Sequence, residues 1–181
     1  MDKYQNKHRI SSTRLQGYDY GAHGIYFVTI RTKKRIHYFG KIIGQKIDNI
    51  SLVEAHNCAS LPCLQPTPIG IIAQEYWNEI PQHYPFVKLD EFILMPDHLH
   101  GILFFNKPEK KDWTPNQFGV QSQNLPAVIR AYKSSVQRYA NQNNIVFAWQ
   151  SRYEDRIIRE ERGIDNIGRY IKDNPMNWNN E

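Results

Sequence analysis

The segment that most constrains the fold is an apolar run around two histidines, FILMPDHLHGILFF, which extends from Phe92 to Phe105. Its apolar residues occupy both sets of alternating positions, a pattern typical of a central strand that is buried on both faces. His98 and His100 are two residues apart, and side chains on a strand alternate between faces with a period of two. Both imidazoles therefore project to one side, where they can reach the same metal ion.

The residues alone leave two interpretations of this pair open. As metal ligands, His98 and His100 would leave coordination positions free for substrate oxygens and water. A metal in such a site would polarise a phosphoryl oxygen and stabilise developing charge, which suits phosphate chemistry. The alternative is that one or both histidines are hydrogen-bonded core residues.

Length and charge limit the organisation and the partners of the chain. Its 181 residues predict one domain over residues 1–181, with a basic N-terminal arm at 1–20 and a mobile loop without apolar periodicity at 106–124. A net charge of +5 and a pI near 9.1 favour a polyanionic partner. Because the N-terminus has no signal-peptide core and no stretch approaches the roughly 20 apolar residues of a membrane span, we expect a cytoplasmic protein without a membrane partner.

Apolar spacing and turn residues predict the element order β-β-β-α-β-β-α-β-α, which fits an α+β fold built on an antiparallel sheet. A loop is predicted over 55–67, and Pro175 is expected to end the last helix. The predicted strands are 24–32, 39–43, 47–53, 86–95, 98–105 and a final extended piece at 146–158. The first predicted helix begins at Thr67-Pro68, and two further helices are predicted over 125–143 and 160–174.

The last predicted helix carries a second group of candidate catalytic residues. Tyr170 and Asn174 are four residues apart and therefore neighbours on one helix face. A tyrosine hydroxyl can act as a nucleophile, and a nearby cation would stabilise its phenolate. Tyr170 could equally be an ordinary residue of an amphipathic helix. Tyr132 and Tyr139, on the second helix, are rival nucleophiles.

Three ordered parts of the chain together form a recognisable pattern. They are GYDY at 17–20 with YFVT at 26–29, then MPDHLHGI at 95–102, and finally WQ at 149–150, RIIR at 156–159 and YIKDNP at 170–175. Across nearly its whole length the chain resembles the single-tyrosine transposases of the HUH class, named for histidine, hydrophobic residue, histidine. Within that class it resembles the branch of REP-associated tyrosine transposases.

The resemblance implies a ferredoxin-like (RRM-like) α+β fold, with the HUH motif on a central strand of an antiparallel sheet. It implies that His98, His100 and Asn174 hold Mg²⁺ or Mn²⁺. Tyr170 would attack a phosphodiester of single-stranded DNA, forming a 5′-phosphotyrosine and freeing a 3′-hydroxyl, and another 3′-hydroxyl would reverse the step and rejoin strands. The substrates would be palindromic sites that form hairpins, and the enzyme would act as a monomer or a homodimer.

Basic side chains in three places are candidates for DNA binding. Contacts from them to phosphates would give affinity and a steep salt dependence without reading sequence. They are Arg14 in the arm, Lys33, Lys34 and Arg35 in the turn after the first strand, and Arg130, Lys133 and Arg138 on the second long helix.

Two other functions remain compatible with the sequence. A metal-dependent phosphodiesterase would use an activated water at His98 and His100 and would need no tyrosine. A non-catalytic module for single-stranded nucleic acid would use the same kind of sheet without a metal.

Overall fold

The structure, a computed structural model, describes residues 3–4, 7–8, 15, 17–44, 61–107 and 123–178. Arg14, the predicted strand 47–53 and most of the predicted loop 106–124 lie outside these residues. No helix in the described ranges is long and apolar enough to cross a membrane.

The described part of the chain contains both strands and helices. Its strands are β1 (Lys3–Tyr4), β2 (Lys7–His8), β3 (Gly24–Arg31), β4 (Gly40–Ile43), β5 (Cys63–Pro66), β6 (Val87–Met95), β7 (His98–Phe105) and β8 (Glu154–Ile158). Its helices are α1 (Pro68–Asn78), α2 (Ile80–His83), α3 (Leu125–Gln142) and α4 (Glu161–Asp173), with short 3-10 helices at Lys33–Arg35 and Asn174–Asn177.

The main sheet has four strands in the order β6-β7-β3-β8, and each neighbouring pair is antiparallel. The histidine strand β7 lies between β6 and β3, so it is central. Pro96 and Asp97 form the tight turn between β6 and β7. The predicted ferredoxin-like α+β fold is confirmed, including the hairpin that begins the histidine strand.

Helices cover both faces of this sheet. On one face α1 and α3 pack over a large core, to which β7 contributes Leu99 and Leu103. On the other face α4 contributes Ile171 to a smaller core with Ile102 and Ile158. Because side chains alternate along β7, His98 and His100 share the face of Ile102, beside α4.

Three strands in the described residues were not predicted from the sequence: β1 and β2, which pair with each other in the predicted arm, and β5. β5, predicted as part of the loop 55–67, pairs antiparallel with β4, so that Ile42 lies opposite Leu64. Pro62 and Pro66 made this segment resemble a loop. Pro66 is the last residue of β5 in a two-stranded sheet, and a proline is tolerated at such an edge position.

The last α-helix ends before Pro175, as predicted, although the chain does not become irregular there. α4 ends at Asp173, but the chain continues into the 3-10 helix Asn174–Asn177, with Pro175 in its first turn. The missing N–H of a proline has no cost in a first turn, where it would lack a helical partner in any case. The final extended piece is also shorter than predicted, because only an isolated bridge between Thr32 and Trp149 precedes β8.

Gly101, which follows the histidine pair, should not tolerate a side chain. A Cβ at this position would overlap Cζ2 of the buried Trp77 and lie 2.9 Å from its Cη2. We expect Gly101→Ala to lower the free energy of unfolding by about 1–3 kcal/mol, because the packed core must shift. The matched control is Gly168→Ala in α4, where the nearest atom is Glu91 Cγ at 3.4 Å.

In the control, alanine should stabilise the helix by up to about 1 kcal/mol. Urea unfolding of both variants measures the difference, and equal stability of Gly101→Ala and the unmodified chain would contradict the packing described.

Candidate functional site

The two histidines of β7 meet at their outer ring nitrogens. His98 Nε2 and His100 Nε2 are 3.1 Å apart, and both residues are almost completely buried, with 6% and 4% of their surface exposed. Pairing of β7 with β3 places Arg31 opposite His98 and Thr29 opposite His100. The strand register therefore determines which side chains surround the pair.

Each imidazole is held from its other nitrogen. His98 Nδ1 lies 2.6 Å from Asp97 Oδ1, and His100 Nδ1 lies 2.8 Å from Thr29 Oγ1. These bonds restrict the rotation of both rings. The two Nε2 atoms are consequently directed to a common point.

Asp97 is a buried carboxylate that carries its charge. Burial alone would raise its pKa, but the hydrogen bond and charge of His98 and the charge of Arg35 outweigh burial and lower the pKa overall. Its second oxygen accepts from Arg35 Nε at 2.5 Å. Arg35 and Lys34 have positive φ angles of 58° and 56°, a backbone conformation that is uncommon for such residues.

His100 is a neutral imidazole. Burial, followed by the electrostatic effects of His98, Arg31 and Arg35, lowers its pKa to about 3. At neutral pH the ring therefore carries one proton and keeps one nitrogen lone pair, which is the form that coordinates a metal.

Tyr170 on α4 reaches this pair within the same chain. Its Oη is 3.4 Å from His100 Nε2, while 51% of the residue surface is exposed. Phe27 stacks on the His100 ring at 5.4 Å and meets the Tyr170 ring edge-on at 6.4 Å. A half-exposed tyrosine thus adjoins a buried pair of histidines.

Packing and one ion pair hold α4 in this position. Ile171 is buried in the smaller core, and Lys172 Nζ lies 2.7 Å from Glu91 Oε1 on β6. These contacts involve the two residues directly after Tyr170, so the tyrosine is carried by a docked helix rather than by a loop.

The donor atoms fit a divalent metal ion that accepts nitrogen and oxygen. Two adjacent ligands at about 2.1 Å from an octahedral ion are about 3 Å apart, close to the separation of the two Nε2 atoms. Within the described ranges, no group of three or more His, Cys, Asp or Glu residues forms a metal cage. Further ligands would have to be an amide, substrate oxygens or water.

Asn174, the predicted third ligand, stands directly after α4. It begins the 3-10 helix and is half-buried. In the described part of the chain, no hydrogen bond joins its side chain to either histidine. His98, His100 and Tyr170 come together in the structure, whereas coordination by Asn174 stays a prediction.

The predicted DNA-binding residues divide between two faces. Lys33, Lys34 and Arg35 are exposed on the 3-10 turn next to the histidines. Arg130 and Arg138 are exposed on α3, on the opposite face of the sheet. Their roles in binding DNA stay predictions.

Lys133, also on α3, already has partners within the protein. Its Nζ donates to the carbonyl oxygen of Gln150 at 2.6 Å and lies 5.7 Å from the centre of the Trp149 ring. Burial lowers the pKa of this lysine to about 8. A phosphate would have to compete with these contacts, so Lys133 is less available for DNA than the exposed Arg130 and Arg138 on the same helix.

The rival tyrosines are far less suited to attack. Tyr132 is buried, donates to the carbonyl oxygen of Ala73 at 3.0 Å, and has a pKa raised by burial. Tyr139 packs against the large core. Both lie on α3, across the sheet from the histidines.

Sequence reasoning missed the residues that support the pair. Asp97 directly precedes His98, and Thr29 is the single aliphatic hydroxyl in the run IYFVTI. Both were visible as polar residues in buried surroundings. Trp178, whose ring centre is 6.0 Å from that of His98, had no sequence signal at all.

Comparisons with known proteins support the resemblance seen in the sequence. No protein-family model matches the chain. An uncharacterized protein of Haemophilus influenzae is 32% identical over 180 residues, which cover 94% of this chain and 91% of that protein. A second Haemophilus influenzae protein, named "Putative REP-associated tyrosine transposase", is 29% identical over 102 residues, which cover 52% of each chain.

A solved structure extends the likeness to the fold. A REP-associated tyrosine transposase bound to a REP hairpin superposes with a TM-score of 0.57 at 14% identity, covering 93% of this chain and 74% of that chain. The chain therefore belongs to one family with the uncharacterized Haemophilus influenzae protein, and it resembles the REP-associated tyrosine transposases in fold and, over about half its length, in sequence.

Proposed function

We propose that this protein is a transposase that cleaves and rejoins single-stranded DNA at hairpin-forming sites through a 5′-phosphotyrosine intermediate. The observation that carries the proposal is the distance of 3.4 Å between Tyr170 Oη and His100 Nε2. A nucleophile, two imidazoles whose Nε2 atoms converge and a neighbouring basic turn are thereby brought together in one chain. The likeness to transposases in fold and sequence supports the same reaction class.

Tyr170 is the proposed nucleophile. Its Oη forms a bond to phosphorus as the bond from phosphorus to the 3′-oxygen breaks, and the strand leaves with a free 3′-hydroxyl. Water can take the phenolic proton, because half of the residue is exposed, and water supplies the proton that the leaving 3′-oxygen needs to become a hydroxyl. Attack by another 3′-hydroxyl reverses the step and conserves the bond energy, so no nucleotide cofactor is needed.

His98, His100 and, by resemblance, Asn174 are the proposed ligands of Mg²⁺ or Mn²⁺. When bound, the ion would supply Lewis-acid stabilisation of the charge on the phosphoryl oxygens. The neutral His100 keeps a nitrogen lone pair available, and the basic turn of Lys33, Lys34 and Arg35 supplies further positive charge. The hairpin substrate is proposed from the neighbour bound to a REP hairpin.

Replacement of the tyrosine tests the proposal directly. With Mn²⁺ and a labelled hairpin oligonucleotide, the unmodified chain should form a covalent adduct that survives denaturing electrophoresis. Tyr170→Phe should lose it completely, because the ring remains but the attacking oxygen is gone. Tyr139→Phe, on the opposite face, is the matched control and should retain the adduct.

An adduct that persists in Tyr170→Phe would contradict the proposed nucleophile. Cleavage without any adduct would favour the metal-dependent phosphodiesterase, and metal-independent binding without cleavage would favour the non-catalytic module.

A mixing experiment tests whether the tyrosine and the histidines that form the adduct belong to the same chain. Tyr170 and His100 approach each other within a single chain, so we expect that a mixture of Tyr170→Phe and His100→Ala proteins forms no adduct. Recovery of adduct in the mixture would show that the tyrosine of one subunit acts with the histidines of another.

The pH dependence of metal binding follows from the state of His100. Because burial lowers its pKa to about 3, His100 has no extra proton to displace above that pH, so at most one of the two imidazoles can exchange a proton for the metal. Mn²⁺ affinity between about pH 5 and pH 8 should therefore fall with decreasing pH by no more than about tenfold per pH unit. Calorimetric titrations would measure this slope, and a slope near two protons would contradict a neutral His100.

The position of the basic turn predicts which charges contact DNA. Lys33→Gln with Lys34→Gln should weaken hairpin binding and reduce the slope of log affinity against log salt by about 1.4, since each single-strand phosphate contact contributes about 0.7. Arg130→Gln with Arg138→Gln removes the same charge from the opposite face and should have the smaller effect. Fluorescence anisotropy over a salt series measures both, and equal losses would contradict binding centred on the histidine face.

A further inference from the structure

A continuous row of polar contacts crosses the site from solvent into the sheet. Arg35 Nε contacts Asp97 at 2.5 Å, Asp97 contacts His98 at 2.6 Å, and His98 Nε2 lies 3.1 Å from His100 Nε2. The row ends where His100 Nδ1 lies 2.8 Å from Thr29 Oγ1. Each ring is thus held by a different kind of group, a carboxylate at one end and a hydroxyl at the other.

The carboxylate determines the proton position in His98. An ionised carboxylate can only accept hydrogen bonds, so His98 Nδ1 must carry the proton that Asp97 accepts. In the neutral ring this leaves the lone pair on Nε2, the atom directed at His100. Asp97 is itself anchored, because its carbonyl oxygen accepts from Thr32 N at 2.8 Å and from Thr32 Oγ1 at 3.0 Å.

The hydroxyl of Thr29 has to serve two proton arrangements of His100. When both rings are neutral and no metal is bound, His100 Nε2–H would donate to the lone pair of His98 Nε2 at 3.1 Å, and the Thr29 hydroxyl would donate to the bare Nδ1 at 2.8 Å. When both Nε2 lone pairs are used for a metal, the proton of His100 stands on Nδ1 instead, and Thr29 Oγ1 accepts it. A hydroxyl can donate or accept, whereas an aliphatic side chain of the same shape can do neither.

We propose that Asp97 and Thr29 are positioning residues that direct the Nε2 lone pairs of His98 and His100 to one divalent metal ion. Of the proposed function, this inference depends only on the binding of a metal ion by His98 and His100. Groups that orient metal-bound histidines typically change metal affinity by about 10- to 100-fold when they are replaced. The carboxylate supplies a fixed acceptor for one ring, and the hydroxyl supplies an adaptable partner for the other.

The first experiment replaces the carboxylate and measures metal binding without any substrate. Titration with Mn²⁺, followed by the electron paramagnetic resonance signal of the free ion, should show Asp97→Asn binding about 10- to 100-fold more weakly than the unmodified chain. Asp90→Asn, which alters an exposed carboxylate on β6, is the matched control and should change affinity by less than about twofold.

The second experiment compares two substitutions of Thr29 that differ in the hydroxyl. Thr29→Val keeps the shape and loses the hydroxyl, so its Mn²⁺ affinity should fall by about tenfold or more, whereas Thr29→Ser should stay within about threefold of the unmodified chain. Thermal unfolding of each variant verifies that it is folded, and this pair tests the proposal even if Asp97→Asn does not fold.

Nitrogen-15 NMR of the histidine side chains provides a readout that a merely structural role would not change. The metal-free chain should show His98 protonated at Nδ1 and His100 at Nε2, and Mg²⁺ should move the His100 proton to Nδ1. A His98 ring protonated at Nε2 in the metal-free chain would overturn the proposal.

The affinity results separate this inference from the proposed reaction. Equal Mn²⁺ affinity in the unmodified chain, Asp97→Asn and Thr29→Val would overturn the positioning roles, as would an unmodified chain that binds no Mn²⁺. If the expected affinity losses occur and the unmodified chain forms no phosphotyrosine adduct, the positioning roles are supported and the proposed transposase reaction is contradicted.

Discussion

The antiparallel pairing of β3 with β7 is the interaction on which the site depends. It runs from the pair of Gly24 and Phe105 to the pair of Arg31 and His98, and it places a hydroxyl opposite one histidine and a guanidinium opposite the other. A shift of one residue would reverse the faces and send the histidines into the large core under α1 and α3. The apolar residues on both faces of β7 make such a shift costly, so burial of the core also fixes the geometry of the polar site.

The site combines two buried histidines, the proposed metal ligands, with an exposed tyrosine, the proposed nucleophile. Buried polar groups are costly unless they are hydrogen-bonded, and in this site Asp97, His98, His100 and Thr29 form a connected row in which each has a partner. Tyr170 stands outside that row on a helix that Ile171 anchors in the smaller core. The two imidazoles are therefore held in place by hydrogen bonds, while the Tyr170 side chain remains half exposed to solvent.

Local patterns predicted most of the elements but not all of their ends or partners. Helix α3 and the hairpin of β6 and β7 follow from spacing and turn residues within each segment, and the Thr67 side chain caps α1 by accepting from Gly70 N, as a threonine before a proline suggests. Strand β5 was missed because its pairing with β4 is a non-local contact that no window around residues 63–66 contains. The continuation past Pro175 was missed because a proline that stops an α-helix is acceptable in the first turn of a 3-10 helix.

By itself, the sequence determined that His98 and His100 share one face of a doubly buried strand, because the alternation of side chains is a local property of the backbone. It also determined that Tyr170 and Asn174 share a helix face, for the same kind of reason. Only the tertiary structure decided that Tyr170 meets His100 and that Thr29 holds its ring, since those contacts join residues 70 and 71 positions apart. Such contacts depend on strand register and helix docking, which are set by burial across the whole sheet and not by any single segment.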